Sequence, residues 1–234
     1  MEYIITKLID FIDKFYHQKK INKFLINFNL KYVIDIGSHK GEFIDSIIDI
    51  NNKLKIYAVE PQSKIFKQLQ DKYKNTKKIN LFKCAISNKN GKKNLKINIK
   101  SSTSSFSYYN KDSKWRKLKE FLLNGFGKSS FINLEKVNTI TLDKFCKKNK
   151  ISKIDLLKID TEGFEFDVLS GLGEEIKKVK FVFFEHHYDD MYKKNYKYSN
   201  VGKLLKENNF KILHKNKMPF RKAFEYLWSN NENI

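Results

Sequence analysis

Four clusters in this chain carry residue types able to do chemistry. In Asp35-Ile36-Gly37-Ser38-His39-Lys40-Gly41 an apolar run reaches a carboxylate and then a glycine-bounded turn. Gly37 allows a close backbone approach to a ligand, or a positive φ, and the Asp35 carboxylate suits the ammonium of an amino acid. Glu60 follows 23 residues after Gly37 and precedes Pro61. A carboxylate at that point accepts hydrogen bonds from both hydroxyls of a ribose. In Asp160-Thr161-Glu162-Gly163, two carboxylates stand two residues apart and suit a general base, a metal, or a grip on a hydroxylated substrate. Glu185-His186-His187 closes another apolar run. Adjacent strand residues face opposite ways, so at most two of these three share one site.

Each cluster also has a plainer reading. Gly37 to Gly41 alone fits an ordinary strand-to-helix turn, Glu162 is placed to cap the helix after it, and Asp160 to satisfy loop amides. Glu60 tips the balance towards a nucleoside ligand. A dinucleotide would need glycines admitting its pyrophosphate to the helix N-terminus, but His39 and Lys40 occupy the middle of this turn. That pattern favours a phosphate-free nucleoside, S-adenosylmethionine, over NAD, with Pro61 fixing the chain direction beneath the adenine. Asp160, Glu185 and His187 make a mixed oxygen and nitrogen set suited to a divalent ion. The simpler expectation is no metal, with one acidic group and one histidine touching the substrate. The Ser101-Ser102-Thr103-Ser104-Ser105-Phe106 segment reads as linker or as hydroxyl donors to a ligand, and Tyr108, Tyr109, Trp115 and Phe126 as a stacking wall or core.

Strands are expected over 31–36, 54–59, 79–85, 92–100, 154–159, 179–185, 210–214 and 224–228. Helices are expected over 42–50, 63–73, 140–148, 165–169 and 201–208, with another over 115–123 in the otherwise unreadable stretch 101–136. Strand-helix alternation implies a mostly parallel sheet covered on both faces, and the last two strands, joined around Pro219, an antiparallel edge hairpin. Residues 1–30 form an amphipathic helical segment. Residues 31–234 form the main domain, with an insertion on the substrate side at about 88–140.

The chain has 234 residues, 41% hydrophobic, enough for a substantial core. Its formal net charge of +21 raises a nucleic-acid partner, yet Arg116 and Arg221 are the only arginines among 47 basic residues. Phosphate recognition favours the planar arginine fork, so a solvated lysine surface is the preferred reading and nucleic acid a disfavoured partner. Cys84 and Cys146 stand apart, with no disulfide framework. No signal peptide or bilayer-spanning run is visible, and a cytoplasmic protein is expected.

Taken together, the segments resemble the FkbM-type methyltransferase family. The resemblance runs through Val33-Ile34-Asp35-Ile36-Gly37-Ser38-His39-Lys40-Gly41-Glu42-Phe43, Tyr57-Ala58-Val59-Glu60-Pro61, Cys84-Ala85-Ile86-Ser87, Ser104-Ser105-Phe106 and Ile140-Thr141-Leu142-Asp143. It closes with the stretch from Ile154 to Glu165, Val168-Leu169-Ser170-Gly171 and Phe183-Phe184-Glu185. It implies an α/β, class I methyltransferase Rossmann-like fold with a seven-stranded sheet. It also implies methyl transfer from S-adenosylmethionine to a hydroxyl of a sugar, glycan or other small natural product. By this resemblance Asp35, Gly37 and Gly41 line the methionine side, Glu60 takes the ribose, Ala85 and Ile86 border the adenine, and Asp160 stands at the boundary with the acceptor. Ser38, His39, Pro61 and Ser104 are further candidates for cofactor binding, although many family members carry Ala and Asn where this chain has Ser38 and His39. Asp160 is the first choice for catalytic base and His187 the second, with Glu185 beside it. The alternatives are an RNA-directed ribose methyltransferase or RNA-binding protein using the basic surface, and an NAD-dependent oxidoreductase.

Overall fold

The computed structural model describes residues 24–51, 53–99, 101–110, 112–113, 131–190, 192–218 and 222–231. The N-terminal amphipathic stretch up to residue 23, the helix expected at 115–123 with Trp115, Phe126, Gly125 and Gly127, and the turn at Pro219 lie outside the described residues.

The main sheet is built from β1 (Tyr32–Ile36), β2 (Lys55–Val59), β3 (Ile79–Phe82), β8 (Ile154–Ile159), β9 (Val179–His187), β11 (Phe210–Lys217) and β12 (Ala223–Asn230). Its spatial order is β11-β12-β9-β8-β1-β2-β3. All neighbours are parallel except β12, which is antiparallel to both β9 and β11. The nearly continuous apolar runs of β1, β2 and β8 are what burial on both faces requires. Val33, Ala58, Leu156, Phe181 and Phe183 pack on one face with α1 (Glu42–Ile47) and α2 (Ser63–Tyr73). Ile34, Val59, Leu157, Ile159 and Phe184 face the opposite core. That side is covered by α3 (Leu142–Lys148), α4 (Glu165–Ser170) and α5 (Tyr198–Glu207).

Several boundaries differ from expectation, some for local reasons. The helix expected from residue 140 starts at Leu142, because Thr141 is its N-cap and accepts the Lys144 N–H at 3.3 Å. The third strand stops at Phe82. Ala85–Ile86 is a separate strand, β4, paired with β7 (Phe131–Ile140), which also pairs antiparallel with β5 (Gly91–Asn98). Strand β7 lies in the stretch the sequence left unread, because its first four residues are all exposed and show no inside-outside alternation.

This second sheet, β4-β7-β5, falls within the stretch expected to be an insertion, and β7 contacts the start of α2, just past the end of β2. Glu135 of β7 accepts hydrogen bonds from the N–H (2.9 Å) and hydroxyl of Ser63, fixing the start of α2 just after Glu60-Pro61. A short ribbon of β6 (Tyr108–Tyr109) and β10 (Tyr192–Lys193) ties the serine-rich segment to the chain leaving β9.

Candidate active site

The site lies where β1, β2, β8 and β9 end, the edge at which open parallel sheets bind ligands. Gly37 and Gly41 both have φ of 80°. A Cβ on Gly37 would sit 1.9 Å from the Asp160 carbonyl oxygen, so the turn after β1 and the loop after β8 touch through backbone. The N–H groups of this turn are all engaged within the chain. Gly37 and Ser38 donate to the Val59 carbonyl at 3.0 and 3.1 Å, and Gly41 to the Ser38 carbonyl at 2.8 Å. His39 donates to Glu60 Oε2 at 2.9 Å and Lys40 to Glu42 Oε2 at 3.1 Å. None is left to cradle a pyrophosphate.

Glu60 is 2% exposed. It accepts N–H groups from His39 and, at 2.8 Å, from Gln62. A carboxylate has about four acceptor positions, so roughly two remain for ligand hydroxyls. Burial pushes its pKa up to about 7, against the pull of the two backbone hydrogen bonds and of His39. The His39 ring bridges Glu42, at 3.0 Å, and the Ser101 hydroxyl, at 2.7 Å. Burial works against the Glu42 charge, but the hydrogen bond and charge of His39 win and hold it down to about 2. Gln62 Nε2 donates to the Ser101 carbonyl at 3.2 Å. Pro61 is half-buried between Glu60 and α2, and Ala85 and Ile86 are buried in β4.

Asp160 follows β8, its N–H donating to the Ile36 carbonyl at 2.9 Å. Its side chain is 45% exposed and pairs with Lys158 Nζ at 3.3 Å, which also stands 3.3 Å from Asp35. The Asp35 carboxylate is 0% exposed. Burial alone would push Lys158 down; the charges of Asp35 and Asp160 outweigh it and hold the ammonium above the usual lysine value. The helix after β8 has no side-chain cap, so Glu162 does not play that part; Glu165, its first residue, instead braces the loop before it, accepting the Gly163 N–H at 2.8 Å, the Thr161 hydroxyl at 3.2 Å and the Tyr196 hydroxyl. The serines brace the same loop: Ser105 and Ser107 donate to the carbonyls of Glu162 and Gly163 at 2.7 and 2.8 Å. Ser104 instead turns back to the end of β5 and accepts the Asn98 N–H at 3.2 Å.

Glu162, at φ 52°, faces β9. It accepts the Tyr192 hydroxyl at 2.6 Å and stands 3.4 Å from His187 Nε2. Glu185 lies 3.2 Å from the same nitrogen, and Asp189 3.6 Å from Nδ1. Burial would strip the His187 proton, but Glu185, then Asp189 and Glu162, hold its pKa well above 6.5, so the ring is an imidazolium near neutrality. His186 faces the other way, into an aromatic cluster with Tyr188, Tyr196 and Tyr198, and burial takes it down to about 3. Asp160 thus pairs with Lys158 while Glu185 and His187 gather around Glu162. Among the described residues no three His, Cys, Asp or Glu side chains are placed to hold a metal ion.

Sequence reasoning missed Lys158, Gln62, Glu165, Tyr192 and Asp189 as members of the site. Lys158 carried a signal, being a charged residue in the second half of a largely apolar strand. Gln62, Glu165 and Tyr192 also reach partners 30 or more residues away, at Ser101, Tyr196 and Glu162, which no local pattern reveals, and Asp189 stands just past the Glu185-His186-His187 cluster.

A seven-stranded, mostly parallel sheet with one antiparallel member next to the edge and helices on both faces is the class I methyltransferase fold. The Methyltransferase FkbM domain matches residues 35–212, well over half of the chain. The chain belongs to the FkbM methyltransferase family. It is 23% identical over 160 residues to the 2-O-methyltransferase NoeI of Sinorhizobium fredii, covering 68% of this chain but only 65% of that protein. Among solved structures it resembles M. capricolum TrmK, described with S-adenosylhomocysteine, at 13% identity and TM-score 0.52. That match covers 92% of this chain and 68% of the other. No helix among the described residues is long and apolar enough to cross a membrane.

Proposed function

We propose that this protein is an S-adenosylmethionine-dependent methyltransferase acting on a hydroxyl oxygen of a sugar, glycan or other small natural product. The observation that carries the reading is the nucleoside corner. A buried Glu60 retains acceptor capacity for a ribose, beside a turn whose N–H groups are all used. Those residues fit an adenosyl group and leave no cradle for NAD phosphates.

Glu60 holds the ribose hydroxyls in this reading, the Gly37–Gly41 turn with Ser38 and His39 borders the methionine portion, and Ala85, Ile86 and Pro61 border the base. The cofactor supplies a methyl group on a sulfonium, already a good leaving group, so the protein's task is alignment and proton removal. Asp160 holds its carboxylate at the β8 end, part-exposed, and takes the hydroxyl proton on Oδ1 or Oδ2. An imidazolium has no free lone pair, so His187 serves as a donor that orients the acceptor, with Glu185 and Glu162 beside it. Oxygen as the methylated atom is supported by the relative named a 2-O-methyltransferase. The carboxylates gathered at this edge suit a hydroxylated acceptor and repel a polyanion, which argues against the RNA reading despite the basic surface.

The test is calorimetric titration with S-adenosylhomocysteine and with NAD, followed by methyl transfer to a panel of glycans and nucleotide sugars, with and without chelator. Binding of S-adenosylhomocysteine alone and methylation of a hydroxyl are expected. Preferential NAD binding, or transfer only to RNA, would overturn the reading.

A further inference from the structure

Asp35 and Lys158 are direct partners in the register of the parallel strands β1 and β8, so their side chains stand side by side on one face of the sheet. Asp160 is two residues beyond Lys158, and Lys158 Nζ reaches its carboxylate as well. The result is a row of charges, Asp35–Lys158–Asp160, running from the sheet interior to its ligand edge, with Nζ 3.3 Å from each carboxylate. The Phe43 ring, centred 5.2 Å from Nζ, covers another side of the ammonium. Exposure rises along the row, from 0% for the Asp35 side chain through 10% for Lys158 to 45% for Asp160. The sequence placed Asp35 against the ammonium of the ligand. In the fold that carboxylate is enclosed, and the ammonium beside it belongs to the chain.

We propose that Asp35 and Lys158 are positioning residues: Asp35 anchors the Lys158 ammonium, which holds the Asp160 carboxylate in the orientation that receives the acceptor's proton, and Asp35 does not itself touch the cofactor. This rests on the reading of Asp160 as proton acceptor. A lysine suits the role because its long stem spans the distance from a buried strand position to the sheet edge while the charge stays paired at both ends. The same row accounts for Lys158 in this largely apolar strand, whose other charged residue, Asp155, accepts the Lys31 and Tyr32 N–H groups.

The test must separate positioning from folding. Lys158→Met alone leaves Asp35 buried without its counter-charge and risks unfolding. The informative variant is Asp35→Leu with Lys158→Met, which removes both buried charges together, its fold checked by circular dichroism. It is expected to bind S-adenosylhomocysteine within about threefold of the wild-type Kd, and to lose about tenfold or more in kcat with the KM for the methyl donor unchanged. A tenfold or greater loss of S-adenosylhomocysteine affinity would show Asp35 contacting the ligand and overturn the proposal, as would wild-type kcat. The second measurement needs no acceptor: the carboxyl 13C resonance of Asp160, assigned with Asp160→Asn, should move between the wild type and the double variant. An unmoved resonance overturns the row. If the wild type binds no S-adenosylhomocysteine or methylates nothing, the proposed function fails, while this resonance still decides the Lys158 contact.

Discussion

At the corner proposed for the nucleoside, Glu60 is fixed by backbone N–H groups, those of residues 39 and 62. At the acceptor edge His187 is fixed by the side chains of Glu162, Glu185 and Asp189, and Glu162 in turn by Tyr192. The first arrangement follows from two strand-to-helix turns, whose backbone donors must be satisfied whatever side chains lie nearby. The second is assembled from the loop after β8, the end of β9 and the chain beyond it, and depends on side-chain identity throughout. In the proposed reading, a corner of backbone donors suits an invariant ligand, and an edge of side chains can be rebuilt for a different acceptor without disturbing the turn.

The comparison can be broken most severely where the two regions touch. Gly37→Ala places a Cβ into the Asp160 carbonyl at a positive φ, and we expect a loss of about 3 kcal/mol or more, read as a large drop in Tm. Asp160→Asn should cut turnover on the order of a hundredfold in a methylation assay, with S-adenosylhomocysteine affinity intact, if the edge and the corner act separately.

Glu60→Gln should do the reverse and weaken S-adenosylhomocysteine binding by roughly tenfold or more, as expected for losing charge-assisted hydrogen bonds. Its pH behaviour sharpens the contrast. Burial raises Glu60 from 4.5 to about 7, so its contribution to stability is full below pH 4.5 and is lost as pH rises through about 7. Glu60→Gln should flatten that slope in pH-dependent melts. Ribose hydroxyls favour the ionised form, so ligand binding should release a proton near pH 7 in calorimetry and tighten about tenfold from pH 6 to 8. The smallest effect belongs to the edge. His187 is raised above 6.5, so the stability it contributes is present below that value and lost as pH rises through the higher folded value. His187→Gln should remove that alkaline loss in melts and raise the acceptor KM several-fold, leaving S-adenosylhomocysteine affinity unchanged.

Much of the corner was legible in the sequence. The apolar runs of β1 and β2, the turn between Gly37 and Gly41, and Glu60 at a strand end are local patterns, and the antiparallel edge hairpin followed from two strands separated by a short connection. The strand at Phe131–Ile140 was hidden because its exposed first half has no alternation. The division of labour among Asp160, Glu162 and Glu165 was hidden too: three carboxylates in six residues look alike in sequence, and only their partners on β8, β9 and the Tyr196 hydroxyl separate them.

What the sequence by itself determined is the order of strands and turns along the chain, since periodicity and turn chemistry act over a few residues. Tertiary structure alone decided that Asp35 meets Lys158 and that His187 is held among carboxylates. Both depend on strand register, and a slip of one residue between β1 and β8 would set Leu157 opposite Asp35 in place of Lys158.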